Sequence, residues 1–191
     1  MTRIVLGISG ASGIPLAVRT ADAIAERAEL IVVVTDAAET VMAHEGPGRE
    51  ATMAHLDDLA TAVYHDDEIT ASVASGSVEA RGMAIVPASM HTVAAVAGGQ
   101  ADGLLTRAAD VCLKEGRPLV VVPRETPMSE IHLANLERLA SVGAHIVPPV
   151  LGFYYEPDEI DDVMDHLAGT VLDRFDIDHS LGETWSGEGR L

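Results

Sequence analysis

A chain of 191 residues is long enough for one domain with a substantial core and leaves little room for a second. Hydrophobic residues make up 48% of it but aromatic ones only 3%, so the core must be Ala, Val, Leu and Ile, which suits a helix-covered parallel sheet better than a β-sandwich. The 30 acidic against 12 basic residues give a formal charge of -18, which argues against a nucleic-acid or anionic-membrane surface; the scatter of the acids along the chain fits a salt-adapted cytoplasm.

Met1-Thr2-Arg3 leads directly into an apolar strand without a charged leader, and no apolar stretch approaches the roughly 18 residues of a spanning helix. A soluble, cytoplasmic protein is expected. Ile4 to Ile8 is the first strand, ending in Ser9-Gly10-Ala11-Ser12-Gly13, with Pro15 in the first turn of the next helix. Leu30 to Val34 is a second strand with Thr35-Asp36 at its tip, and Ala37 to His44 has helical composition. Glu50 to Val63 reads as an amphipathic helix, and Ser72 to Ser77 as a flexible loop.

Met83 to Val86 is the third strand, followed by Pro87-Ala88-Ser89-Met90-His91-Thr92 and a helix from Val93 to Ala97 that Ser89 can cap and Gly98-Gly99 stops. Leu104 to Leu113 is helical and Pro118 to Val122 is the fourth strand. A loop from Pro123 to Pro127 then leads to a helix over Ser129 to Val142, with Gly143 as its stop. Ala144 to Val147 is a short fifth strand broken by Pro148-Pro149. Asp158 to Phe175 is the last helix, so the domain spans 1–175 and a polar tail 176–191. Strands alternating with helices imply right-handed crossovers and a three-layer α/β sheet whose ligands lie at the carboxyl ends of its strands. The loops named above are expected to share that rim.

Gly10-Ala11-Ser12-Gly13 places backbone N–H groups and a hydroxyl at a helix start, where an anion or an electron-rich ring edge is stabilised, although many α/β proteins have such a turn. Pro15 breaks the GxGxxG dinucleotide pattern. Ser89 and Thr92 form a second helix-start cluster, and two on one rim suit a phosphate-bearing ligand; ordinary capping explains either equally well. His91 has no second histidine at ligand-like spacing, so hydrogen bonding is expected of it and no metal. Arg124-Glu125, stiffened by Pro123 and Pro127, can hold a guanidinium for a phosphate, or form a local ion pair.

Lys114 is the only lysine, and with Arg107 and Arg124 it can surround an anionic leaving group. Cys112 is the only cysteine, so no internal disulfide forms. Phe153-Tyr154-Tyr155 holds three of the six aromatic residues, and Tyr154 can offer its hydroxyl to a phosphate or simply face solvent. Glu45, beside Gly46-Pro47, can face the same rim.

Together GISGASG at 7–13, ASGS at 74–77, PASMHT at 87–92, LLTRAADVCLKEGRPLVVVPRETPMS at 104–129, IHLANL at 131–136 and GFYYEP at 152–157 resemble the UbiX-type flavin prenyltransferases of the wider flavoprotein group. The resemblance runs almost end to end. It implies a Rossmann-like, flavodoxin-like fold, a homododecamer built from trimers, and FMN bound where subunits meet. The implied reaction joins a dimethylallyl group from dimethylallyl phosphate to N5 and C6 of reduced FMN without a metal. The product, prenylated FMN, serves a UbiD-type decarboxylase.

By the same resemblance, Gly10, Ala11, Ser12, Thr35, Ser89, Met90, His91, Thr92 and Arg124 match FMN-contacting positions. Tyr154, with Lys114 and Arg124, matches the prenyl-phosphate site, and Ser12, Glu45, Lys114 and Glu125 match the reaction centre. Four positions depart from the family pattern. His91 stands where lysine is frequent, Gly116 where arginine is, Ala88 where cysteine is common, and Thr170 where a cationic phosphate ligand is usual, so weaker donor binding is expected. Two rivals are an FMN-dependent cysteine decarboxylase, whose PxMNxxMW signature is absent while Trp185 lies in the tail, and a non-catalytic flavin carrier.

Overall fold

The computed structural model describes residues 2–182; Trp185 and the rest of the expected tail, 183–191, lie outside the described residues. Six strands form one parallel sheet: β1 (Arg3–Ile8), β2 (Glu29–Val34), β3 (Ala62–His65), β4 (Gly82–Ala88), β5 (Leu119–Pro123) and β6 (His145–Ile146). Their order is β3-β2-β1-β4-β5-β6, the doubly wound Rossmann arrangement, which reverses direction between β1 and β4 and opens a crevice there. The helices are α1 (Ile14–Ala25), α2 (Asp36–Met42), α3 (Arg49–Leu59), α4 (Met90–Ala97), α5 (Leu104–Lys114), α6 (Glu130–Ser141) and α7 (Ile160–Asp173).

The period of two along each strand explains the layering. Ile4, Leu6 and Ile8 pack with Leu30, Val32 and Val34 on one face, under α1 and α7 and sealed by the fully buried Phe175. Val5, Ile31 and Val33 point the other way and meet Leu104, Leu105, Ala108 and Cys112 of α5. Burial on both faces is why these strands read as unbroken apolar runs.

One element departs from expectation. The helix anticipated from Glu50 to Val63 ends at Leu59, Ala60 turns extended at φ -86° and ψ 149°, and Ala62–His65 becomes a sixth strand paired with Ile31 to Val34. Val63 satisfies a helical spacing and a strand spacing alike, and only the open edge of β2 decides between them. The anticipated fifth strand is reduced to His145–Ile146. The tail anticipated from Asp176 is not wholly free of the core, since Ile177 and Leu181 pack against it.

Candidate functional site

Three loops at the carboxyl ends of β1, β2 and β4 are stitched together by short hydrogen bonds. Ser9, fully buried at the end of β1, donates through Oγ to Pro87 O at 2.8 Å and accepts from Ser89 N at 2.8 Å. Thr35 N donates to Ile8 O at 3.1 Å, and Arg124 N donates to Ala88 O at 3.1 Å, adding the loop after β5. Ser9 carries no role in the sequence reading; its one signal is a hydroxyl directly after an all-apolar buried strand, where it must find a partner.

The glycine loop departs in detail from its expected use. Gly13, at φ 121°, takes a conformation closed to ordinary side chains, and it starts α1 without a side-chain cap of its own. Glu45 supplies the cap from a distance: its Oε2 accepts from Gly13 N at 2.9 Å and Ile14 N at 3.0 Å. Part of the helix start offered to an external anion is therefore occupied by a carboxylate of the chain itself. Burial opposes the charge on Glu45, but the Ser12 hydroxyl, the two backbone N–H groups and the nearby Arg124 guanidinium outweigh it and hold the carboxyl below its ordinary value. Ser12, Glu45 and Arg124 thus belong to one electrostatic cluster, and Glu125, next along, accepts from Thr126 N at 3.0 Å.

The second helix start remains open. Ser89 accepts from Thr92 N at 3.2 Å, and its Oγ lies 3.0 Å from Thr92 Oγ1, so two hydroxyls converge at the first turn of α4. They border a cleft of about 430 Å³ at the switch between β1 and β4, with Gly10, Thr35 and His91 also in its wall. Gly10 allows the loops to close on one another, because a Cβ there would stand 2.4 Å from that of Ala37. Thr35 is itself a cap, accepting from Ala38 N at 3.1 Å. Asp36, Asp66 and Asp102 also line the cleft and disfavour an anionic group beside them. Asp66 was missed with the strand that precedes it; its Oδ1 accepts from Leu105 N at 2.7 Å and opens α5.

The remaining candidates are spread over the rim and other parts of the chain. Lys114 ends α5, just ahead of the start of β5, and pairs with Glu115. Arg107 donates to Ala74 O at 3.1 Å and to Asp110 at 2.7 Å, beside the same 74–77 loop as Lys114, whereas Arg124 follows the carboxyl end of β5. The 74–77 loop lies beside Lys114 and Glu115, away from the carboxyl-end rim. Tyr154 sits on the segment before α7, half exposed, with its hydroxyl 3.1 Å from His166 Nε2. Met90 begins α4, and Ala11 is buried in the glycine loop.

The family model for the flavoproteins matches residues 1–172. Flavin prenyltransferase LpdB of Lactiplantibacillus plantarum is 44% identical over 190 residues, covering 98% of this chain and 100% of that protein. The chain belongs to the UbiX-like flavin prenyltransferases. Two solved structures agree with that membership in fold as well as in sequence. AnUbiX (PadA1), solved in complex with FMN and dimethylallyl pyrophosphate, superposes on this flavin prenyltransferase with a TM-score of 0.93 at 40% identity, covering 97% of this chain and 98% of its own. The dodecameric FMN-dependent UbiX-like decarboxylase from Escherichia coli O157:H7 does so at 0.92 and 39%, covering 97% and 100%. The three-layer parallel α/β architecture expected from the strand and helix pattern is the fold of this family.

Proposed function

We propose that this flavin prenyltransferase takes reduced FMN into the cleft between β1 and β4 and joins it to the dimethylallyl group of dimethylallyl phosphate. The C–O bond to phosphate breaks with its electron pair leaving on the phosphate, and flavin N5 captures the allylic carbon and gives its proton to the released phosphate. The remaining allyl double bond is then protonated, and C6 bonds to its substituted end and loses its own proton, closing the fourth ring. The observation that carries the reading is the rim itself: an open helix start with two converging hydroxyls, beside a glycine loop where Ser12, Glu45 and Arg124 meet. The Ser89–Thr92 end suits the FMN phosphate, and Gly10, Ala11, Ser12, Thr35, Met90 and His91 suit the rest of the flavin. Arg124 offers a bidentate guanidinium to the departing phosphate, and the Glu45 carboxylate, kept charged, stabilises positive charge on the allyl group.

Lys114, Glu125 and Tyr154 enter this reading through neighbouring copies of the chain, in an assembly where each site is completed between subunits. Supporting that assembly, Ile131, Leu133, Val150, Leu151, Phe153 and Ile160 are all more than half exposed along α6 and the segment leading to α7, apolar side chains that subunit contacts would cover. A homododecamer fits it. The finished prenylated FMN leaves for a UbiD-type decarboxylase in the cytoplasm. Among the described residues no helix is long and apolar enough to cross a membrane.

The test is anaerobic incubation of the protein, in high salt, with reduced FMN and dimethylallyl phosphate, followed by mass analysis of the extracted flavin. A flavin heavier by one dimethylallyl unit is expected. Unmodified flavin from an assembled, flavin-loaded protein would overturn the reading, and turnover only with the diphosphate would change the donor.

A further inference from the structure

We infer that His166 is the positioning residue for Tyr154, holding its hydroxyl where the phosphate of the prenyl donor is bound; the inference rests on the assignment of Tyr154 to the donor made above. Between β6 and α7 the chain runs without regular structure, and Phe153 and Tyr154 are 76% and 52% exposed. A phenol on such a segment would lose much rotational freedom on meeting a ligand, and that loss weakens binding unless the group is held in advance.

The holding element is a cluster of three rings. Tyr155 stacks on the imidazole of His166 with centroids 4.4 Å apart and planes 25° from parallel. Tyr154 stands edge-on to both, 5.2 Å from Tyr155 and 5.8 Å from His166. Its hydroxyl meets His166 Nε2 at 3.1 Å. Tyr155 contributes its ring alone, because its hydroxyl is buried without a hydrogen-bond partner among the described residues. Gly152 lets the segment fold over the pair, since a Cβ there would come within 2.8 Å of the Tyr155 ring and 3.1 Å of the Tyr154 ring.

His166 is the rigid member. It lies within α7, which packs along α1, and its carbonyl accepts from Thr170 Oγ1 at 2.9 Å. A phenol hydroxyl has one proton and two lone pairs; using one of these on a fixed imidazole nitrogen sets the direction of the others. Thr170, one turn further along, spends its own hydroxyl on the helix backbone, whereas His166 presents Nε2 to the Tyr154 hydroxyl.

The experiment compares His166→Phe, His166→Gln, Tyr154→Phe and the double variant Tyr154→Phe/His166→Phe, with assembly size and FMN affinity as controls. His166→Phe retains a ring to stack on Tyr155 and removes the hydrogen bond. It is expected to raise KM for dimethylallyl phosphate about tenfold, the worth of one lost hydrogen bond, with kcat little changed and FMN affinity intact. His166→Gln, whose amide nitrogen reaches about as far as Nε2, restores KM to within about threefold of the parent. The double variant is no worse than Tyr154→Phe alone. An unchanged KM in His166→Phe, no recovery with Gln, or multiplying effects in the double variant overturns the inference and leaves the role of Tyr154 standing. An unchanged KM in Tyr154→Phe overturns both. Should His166→Phe fail to assemble, His166→Leu measures the same lost bond.

Discussion

Glu45 caps α1 across a sequence gap of more than thirty residues, its Oε2 2.9 Å from the amide nitrogen of Gly13. The carboxylate does for this helix what an adjacent Ser or Asp does elsewhere, and Gly13 itself can provide no side chain. Glu45→Ala is therefore expected to cost about 1 kcal/mol of stability in chemical denaturation, with Glu45→Gln, which keeps an acceptor, costing less. Because folding lowers the pKa of Glu45, its charge contributes fully above the unfolded carboxyl value and is lost as pH falls through the lower folded one. The stability gap between the parent and Glu45→Gln should shrink in that acid range and hold steady at neutral pH.

Ser9 joins β1 to β4 on the opposite side of the same loop. Ser9→Ala strands the Ser89 amide and one bond of the Pro87 carbonyl in a buried place, at a cost of about 1–3 kcal/mol. Since Ser89 is also the cap of α4, FMN affinity measured by fluorescence quenching should fall with stability. Stability loss with unchanged flavin affinity would separate Ser9 from the site.

Gly10 and Ala37 are packed too closely for any Cβ at position 10. Gly10→Ala should move the loop after β1 away from α2, destabilise the protein by about 1–3 kcal/mol and weaken FMN binding. Adding Ala37→Gly removes the atom it strikes, so the double variant should recover much of both losses.

Lys114 tests whether the site is shared. Lys114→Ala should keep FMN and lose prenyl transfer by a factor on the order of a hundred, as for loss of one charge stabilising a leaving group. Ser89→Ala should weaken FMN itself. Mixed assemblies made by refolding the two variants together should regain activity that neither has alone, because some interfaces then pair an intact flavin loop with an intact Lys114. No recovery in demonstrably mixed assemblies would place the whole site within one chain.

Most of the architecture follows from local pattern. The apolar runs at Ile4 to Ile8, Leu30 to Val34 and Met83 to Val86 read as buried strands, and Ser89 before Val93 marked a helix start that the structure keeps. Family membership was legible too, carried by long motifs in one order. Local pattern did not separate helix from strand at Ala62–His65, because one apolar residue served both periods until β2 offered an unpaired edge. It did not show that Glu45 would take the amides of the glycine loop, or that Lys114 would end its helix away from Arg124. Periodicity acts over a few residues and determined the strands, the helices and the rim on which they open. Which charges meet depends on contacts between distant segments, and those only the tertiary structure decided.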